Sequence, residues 1–144
     1  MRVTKEVIAT ADAPPALGPY AQGIKVGDTI YVSGQLPLDP STRQMVAGGI
    51  AVQTERVLLN IQAILEEAGA TIEDVVKITI YLQDLGQFDE VNRIFAMFFP
   101  SDEQSQCLPP ARATVEVSRL PRDAAVEMDA IAVHGSGHIG IDVY

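Results

Sequence analysis

Arg112 and Glu127 are the two residues whose type and setting best suit chemistry on a small molecule. Arg112 follows Pro109-Pro110-Ala111 at a loop-to-strand entry, where a guanidinium offers a permanently charged fork that grips a carboxylate through two parallel hydrogen bonds. Taken alone, the same residue also reads as a solvated strand arginine, because most arginines lie at the surface. Glu127 is expected across a hairpin on the same polar face, where a carboxylate either orients a water and shuttles a proton or forms a structural ion pair with a neighbouring arginine. Tyr20, within Gly18-Pro19-Tyr20, and Asn92, on an expected helix, are neutral polar groups that can complete a pocket or serve as capping and core-edge residues. Ser33 stands at a strand end beside Gly34, where a backbone amide can approach a ligand closely. No strand-turn-helix elbow surrounds Ser33, which argues against a hydrolytic serine.

Other chemistry finds less support. His134 and His138 are four apart, but the glycines between them argue against the helical face that this spacing needs for metal ligation. With no acidic or cysteine ligand in a suitable pattern, no metal site is expected. Cys107 has no base in its neighbourhood and reads as a free loop thiol. Gly48-Gly49 lacks the Lys-Ser/Thr of a phosphate loop, and nothing signals a nucleotide, flavin or pyridoxal cofactor.

The elements that must position these residues follow from periodicity. Residues 1–22 are small and rich in Pro and Gly, an extended entry segment with turns. Ile24-Lys25-Val26 and Ile30-Tyr31-Val32 flank Gly27-Asp28, a two-residue hairpin signal. From about Gly49 to Ala68 the period becomes helical, with Val57, Ile61, Ile64, Leu65 and Ala68 on one face and Gly69 past the C-terminus. Thr71 and Asp74 suggest a capped turn. Val76, Ile78, Ile80 and Leu82 then alternate with polar residues as a strand, and a second helix spans about Gln87 to Phe98 on a stripe of Phe88, Val91, Phe95 and Phe98. Two strands, Ala111 to Arg119 and one carrying Val126, Met128, Ala130 and Ala132, are joined at Leu120-Pro121-Arg122-Asp123 and read as a closing hairpin. The order predicts an α+β fold, an antiparallel-rich sheet with two helices on one face. The uncovered face, expected to carry Arg112, Thr114, Glu116 and Ser118, has the mixed character of an oligomer interface with polar pockets.

Composition bounds the function. The 144 residues suit one domain over 1–144, with an irregular tail over 133–144. Nineteen acidic against ten basic residues give a net charge of −9, a field that repels a phosphate backbone, so no nucleic-acid partner is expected. No apolar run is long enough to span a bilayer, no secretory signal opens the chain, and one cysteine suits a reducing compartment. No membrane partner and a cytoplasmic location are the expectations.

Three blocks carry a resemblance: GPYAQGIKVGDTIYVSGQLPLDP, VVKITIYLQDLGQFDEVNRIFAMFF and PPARATVEVSRLPRDAAVEMDAIAV. In this order, across roughly residues 7 to 133, the chain resembles the RidA (YjgF) family of enamine/imine deaminases. The resemblance implies a chorismate-mutase-like fold assembled as a homotrimer, with ligand sites in clefts between subunits. It implies hydrolysis of 2-aminoacrylate, 2-iminopropanoate and 2-iminobutanoate to 2-keto acids and ammonium, without a cofactor. Arg112 then matches the residue that holds the substrate carboxylate, and Glu127 the one that positions the attacking water. Tyr20, Ser33, Gly34 and Asn92 match positions lining the site. Thr114 stands where close relatives often carry cysteine. The alternative activity class is a non-catalytic module that binds 2-keto acids or other small carboxylates through the same arginine.

Overall fold

The computed structural model of the chain describes residues 3–100 and 108–137. Its elements are β1 (Lys5–Ile8), β2 (Gly23–Val26), β3 (Thr29–Gln35), α1 (Ile50–Glu67), β4 (Val75–Leu82), α2 (Phe88–Phe98), β5 (Ala111–Glu116) and β6 (Val126–Val133). They form one six-stranded sheet in the order β1-β2-β3-β6-β4-β5. The α+β class and the antiparallel-rich sheet are as the periodicity predicts. Gly27, at a φ of 58°, makes the β2–β3 turn, and Gly69, at 86°, follows α1. The Asp74 carboxylate accepts the Thr71 N–H at 3.0 Å, closing the predicted capped turn. Lys5–Ile8, inside the segment read as an extended entry with turns, is a strand because its backbone finds a partner in β2.

The closing hairpin is not formed. β5 pairs with β4 in parallel, and β6 lies between β3 and β4, antiparallel to both. Val126, Met128, Ala130 and Ala132 are essentially inaccessible, which suits a central strand, whereas β5 exposes Ala111 and Ala113 and suits an edge. A parallel pair needs a crossover, and α2 supplies it between β4 and β5. The chain then passes over the end of β4, where Leu82 O accepts from Val117 N–H at 2.8 Å and Ala125 O from Gln83 N–H at 3.2 Å. Alternation along a strand sets its faces but not its neighbours.

This pairing also changes which residues share a face. Arg112 sits opposite Ile78 and Thr114 opposite Ile80, so both belong to the side covered by the helices, not to the open side as expected. There Ile30, Val32, Ile78, Ile80, Leu82 and Met128 pack against Val57, Leu58, Ile61, Ile64 and Leu65 of α1 and Val91 and Phe95 of α2. On the open side stand Tyr31 (49% exposed) and Val115 (41%), with Thr79, Tyr81, Glu127, Asp129 and Ile131 between them. A bulge between Val75 and Lys77 turns Val76 outward and Val75 into the core.

Asn60 couples the helix layer to the loop beyond β3. Fully buried on α1, its amide donates to Leu36 O at 3.1 Å and Leu38 O at 3.0 Å, and its oxygen accepts from Arg56 Nε at 3.1 Å. Asn60→Ala strands the buried Leu38 carbonyl and the partly buried Leu36 carbonyl, so denaturant unfolding is expected to show a loss of about 1–3 kcal/mol for the buried group and less for the other. An unchanged midpoint overturns that role. Among the described residues no helix is long and apolar enough to cross a membrane. The tail is pinned as far as Gly137, whose N–H donates to Asp74 Oδ1 at 2.8 Å, while Cys107 and His138 lie outside the described residues.

Candidate functional site

The irregularity of β3 builds the first wall of the site. Val32 pairs with Ala130 and Gln35 with Met128, so Ser33 and Gly34 together oppose a single residue of β6. The bulge pushes the Gly34 backbone against Glu127, and a Cβ added there would overlap the Glu127 carboxylate. Only glycine admits that approach. Gly34 and Glu127 open onto a cavity of about 380 Å³, walled also by Pro14, Leu17, Tyr20 and Leu36. Ser33 is not part of that wall; its hydroxyl donates to Ala21 O at 2.5 Å and ties β3 to the strand of chain behind Tyr20.

Tyr20 is half-exposed, and its hydroxyl accepts the Leu17 N–H at 3.2 Å. The loop carrying both residues is held by Gln22, a buried amide that sequence reading passed over. Its oxygen accepts Thr10 N–H at 2.7 Å, and its nitrogen donates to Pro14 O at 2.7 Å, Thr10 O at 3.1 Å and Ala13 O at 3.3 Å. A segment rich in proline has few donors of its own, so one side-chain amide organises it. A lone Gln after a Pro-rich stretch is the only signal in the sequence.

Burial raises the pKa of Glu127, and the charge of Asp129 on the same face of β6 raises it further. Tyr81, directly opposite Glu127 on β4, donates its hydroxyl to Asp129 Oδ2 at 2.9 Å. That hydrogen bond, followed by burial and the nearby carboxylates, raises the pKa of Tyr81 in turn. A carboxyl shifted toward neutrality takes and returns protons more effectively near physiological pH.

The second wall lies on the opposite side of the sheet. Arg112 lays its guanidinium over Phe95 and Phe88 of α2, with Cζ at 4.9 Å and 5.3 Å from the ring centroids. Desolvation there lowers its pKa, yet among the described residues no carboxylate pairs with it. Thr114 follows two residues along β5 on the same face, and its Oγ1 is buried without a hydrogen-bond partner among the described residues. Asn92 lies on the stripe of α2 that runs between Phe88 and Phe95. A cation on aromatic faces, with no counter-ion among the described residues, is prepared for an anion.

The structure thus brings Tyr20, Gly34 and Glu127 together, and Arg112 with Thr114 beside the α2 stripe that holds Asn92. It does not join the two groups: the cavity beside Glu127 includes none of Arg112, Thr114 and Asn92. The expected hairpin contact between Arg112 and Glu127 is absent because β4 stands between β5 and β6.

A family model described as endoribonuclease L-PSP matches residues 10–134. A RutC family protein of Pyrococcus abyssi is 52% identical over 130 residues, covering 90% of this chain and 98% of its own. A human protein named 2-iminobutanoate/2-iminopropanoate deaminase is 42% identical, covering 91% of each chain. Among solved structures, the YjgF gene product of E. coli superposes with a TM-score of 0.82 at 43% identity, over 89% of this chain and 98% of its own. TdcF of E. coli with bound serine superposes at 0.83 with 36% identity, over 90% and 98%.

Proposed function

Since the chain belongs to the YjgF/RidA family, we propose that it hydrolyses reactive 2-imino acids and their enamine tautomers to 2-keto acids and ammonium. The substrates are 2-aminoacrylate, 2-iminopropanoate and 2-iminobutanoate, and the site lies in the cleft between subunits of a homotrimer. The observation that carries this reading is the Arg112 guanidinium on its aromatic bed, with no carboxylate paired to it among the described residues. The name of the human relative supports the reaction. The half-exposed apolar face around Tyr31 and Val115 supports assembly, which would bring the Arg112 wall of one copy to the Glu127 wall of another.

The chemistry asks little of the protein, because a protonated imine is already electrophilic. Arg112 fixes the carboxylate, with Asn92 and Thr114 beside it. Glu127, in a wall shaped by Tyr20 and Gly34 with Ser33 bracing β3 behind it, holds a water against the imine carbon and accepts its proton as the C–O bond forms. The C=N electron pair moves onto nitrogen, giving a carbinolamine. Glu127 then returns the proton to nitrogen; as the C–N bond breaks, the hydroxyl oxygen forms the C=O bond and gives up its proton to Glu127, which passes it to the departing ammonia, so the keto acid and ammonium leave. Positioning and charge placement supply the acceleration.

The test couples the protein to an enzyme that generates 2-iminopropanoate and follows loss of the imine. Acceleration over buffer supports the reading; none, on any imino acid tried, overturns it in favour of a non-catalytic carboxylate-binding module. Gly34→Ala displaces the Glu127 carboxylate, so kcat/KM is expected to fall on the order of a hundredfold, the usual effect of a misplacement near 1 Å. Full activity in that variant refutes the role given to Glu127. RNA cleavage, the activity in the description of the matched family model, fits poorly with a net charge of −9.

A further inference from the structure

Among the described residues, three that are not glycine have a left-handed φ: Arg43 at 64°, Arg122 at 57° and Asp123 at 56°. All three belong to a single joint, where Arg122 Nη1 donates to Arg43 O at 3.1 Å. Each such residue is conformationally costly, and residues of this kind gather where the strain serves a site. This joint borders the cavity that holds Glu127, and Arg122 lines that cavity.

Arg122 also keeps donors to spare among the described residues. Its hydrogen bond to Arg43 O employs one of five N–H donors, and among the described residues it pairs with no carboxylate. Its neighbour Asp123 is already engaged by Arg119, at 2.9 Å. In a protein of net charge −9, a guanidinium on the wall of a cavity with no carboxylate partner among the described residues is a local reversal of the field. The tether to Arg43 O restrains the exposed guanidinium at the cavity wall, which lowers the ordering needed to bind an anion.

We propose that Arg122 is a second anion-binding arm of this cavity, selecting ligands with a carboxylate at the end of the side chain, the imino and keto dicarboxylates. The inference rests on the imine-deaminase reading for its substrate class, but its binding site is independent of turnover. In the proposed assembly one carboxylate goes to Arg112 of a neighbouring copy and the distal one to Arg122, with the reacting carbon between them beside Glu127.

Calorimetry with 2-oxoglutarate and 2-oxobutanoate measures the preference without requiring catalysis. Arg122→Gly is the variant of choice, since glycine adopts a φ of 57° without strain. Arg122→Asn, also tolerated there, guards against a folding failure of the first. Wild type is expected to bind 2-oxoglutarate more tightly than 2-oxobutanoate. Either variant is expected to lower the ratio of the two affinities about tenfold or more, as loss of a charged hydrogen-bonding partner does. A ratio unaltered by both substitutions, or no preference for 2-oxoglutarate in wild type, overturns the proposal. Absence of 2-iminopropanoate turnover sinks the deaminase reading alone, and leaves this measurement decisive.

Discussion

Arg112→Ala is expected to lower kcat/KM for 2-iminopropanoate by on the order of 10²–10³-fold. Removing one partner of a desolvated, hydrogen-bonded charge pair typically loses about 2–5 kcal/mol, and the pair at stake here is the proposed one with the substrate carboxylate. Before binding, Arg112 faces no carboxylate among the described residues and rests on Phe88 and Phe95. The effect on unfolding is therefore smaller, about 0.5–1 kcal/mol for each lost cation–π contact. Arg112→Lys keeps the charge but neither the planar fork nor its stacking, and is expected to recover only part of the rate. Steady-state kinetics beside thermal unfolding separates these effects. A variant as active as wild type removes Arg112 from the site.

Glu127→Gln is expected to lower kcat about 10²–10⁴-fold, the range for loss of a positioned acid–base group. Gln retains the shape and the hydrogen bonding but cannot take the proton of the attacking water. Stability should move the other way. The folded-state pKa of Glu127 is raised, so its ionisation opposes folding: the stability it contributes is full below the ordinary glutamate pKa and is lost as pH rises through the raised value. Glu127→Gln carries no such loss. Denaturant melts should find the variant the more stable protein above that window and level with wild type below it. The same shift places the acid limb of the wild-type kcat/KM profile above an ordinary carboxylate, and Asp129→Asn should move it to lower pH by removing the neighbouring charge. A limb unmoved by Asp129→Asn rules out Glu127 as the titrating base.

Much of this was legible in the residues themselves, because it depends on local period. The α1 stripe of Val57, Ile61, Ile64 and Leu65 is buried as a helical repeat requires, and Val126, Met128, Ala130 and Ala132 line one face of β6 as a strand repeat requires. Gly27 and Gly69 mark their turns through conformations that other residues avoid. The blocks around Tyr20, Asn92 and Arg112 suffice to point to the family. Gln22 and Asn60 were not legible as anchors, since each serves backbone carbonyls distant in sequence, and neither has a periodicity to betray it.

Arg112 and Glu127 show where the division falls. The sequence by itself determined that both lie on strands, with the chemical types to clamp a carboxylate and to move a proton. Only the tertiary structure decided that they are not partners across a hairpin, because strand order is a property of the whole sheet. β6 is apolar enough to claim the centre, which leaves β5 at the edge beside β4 and turns Arg112 onto the rings of α2. The bulge at Ser33-Gly34 and the left-handed joint at Arg122 are likewise set by contacts between distant segments. Local rules name the chemical groups; pairing and packing decide which of them meet.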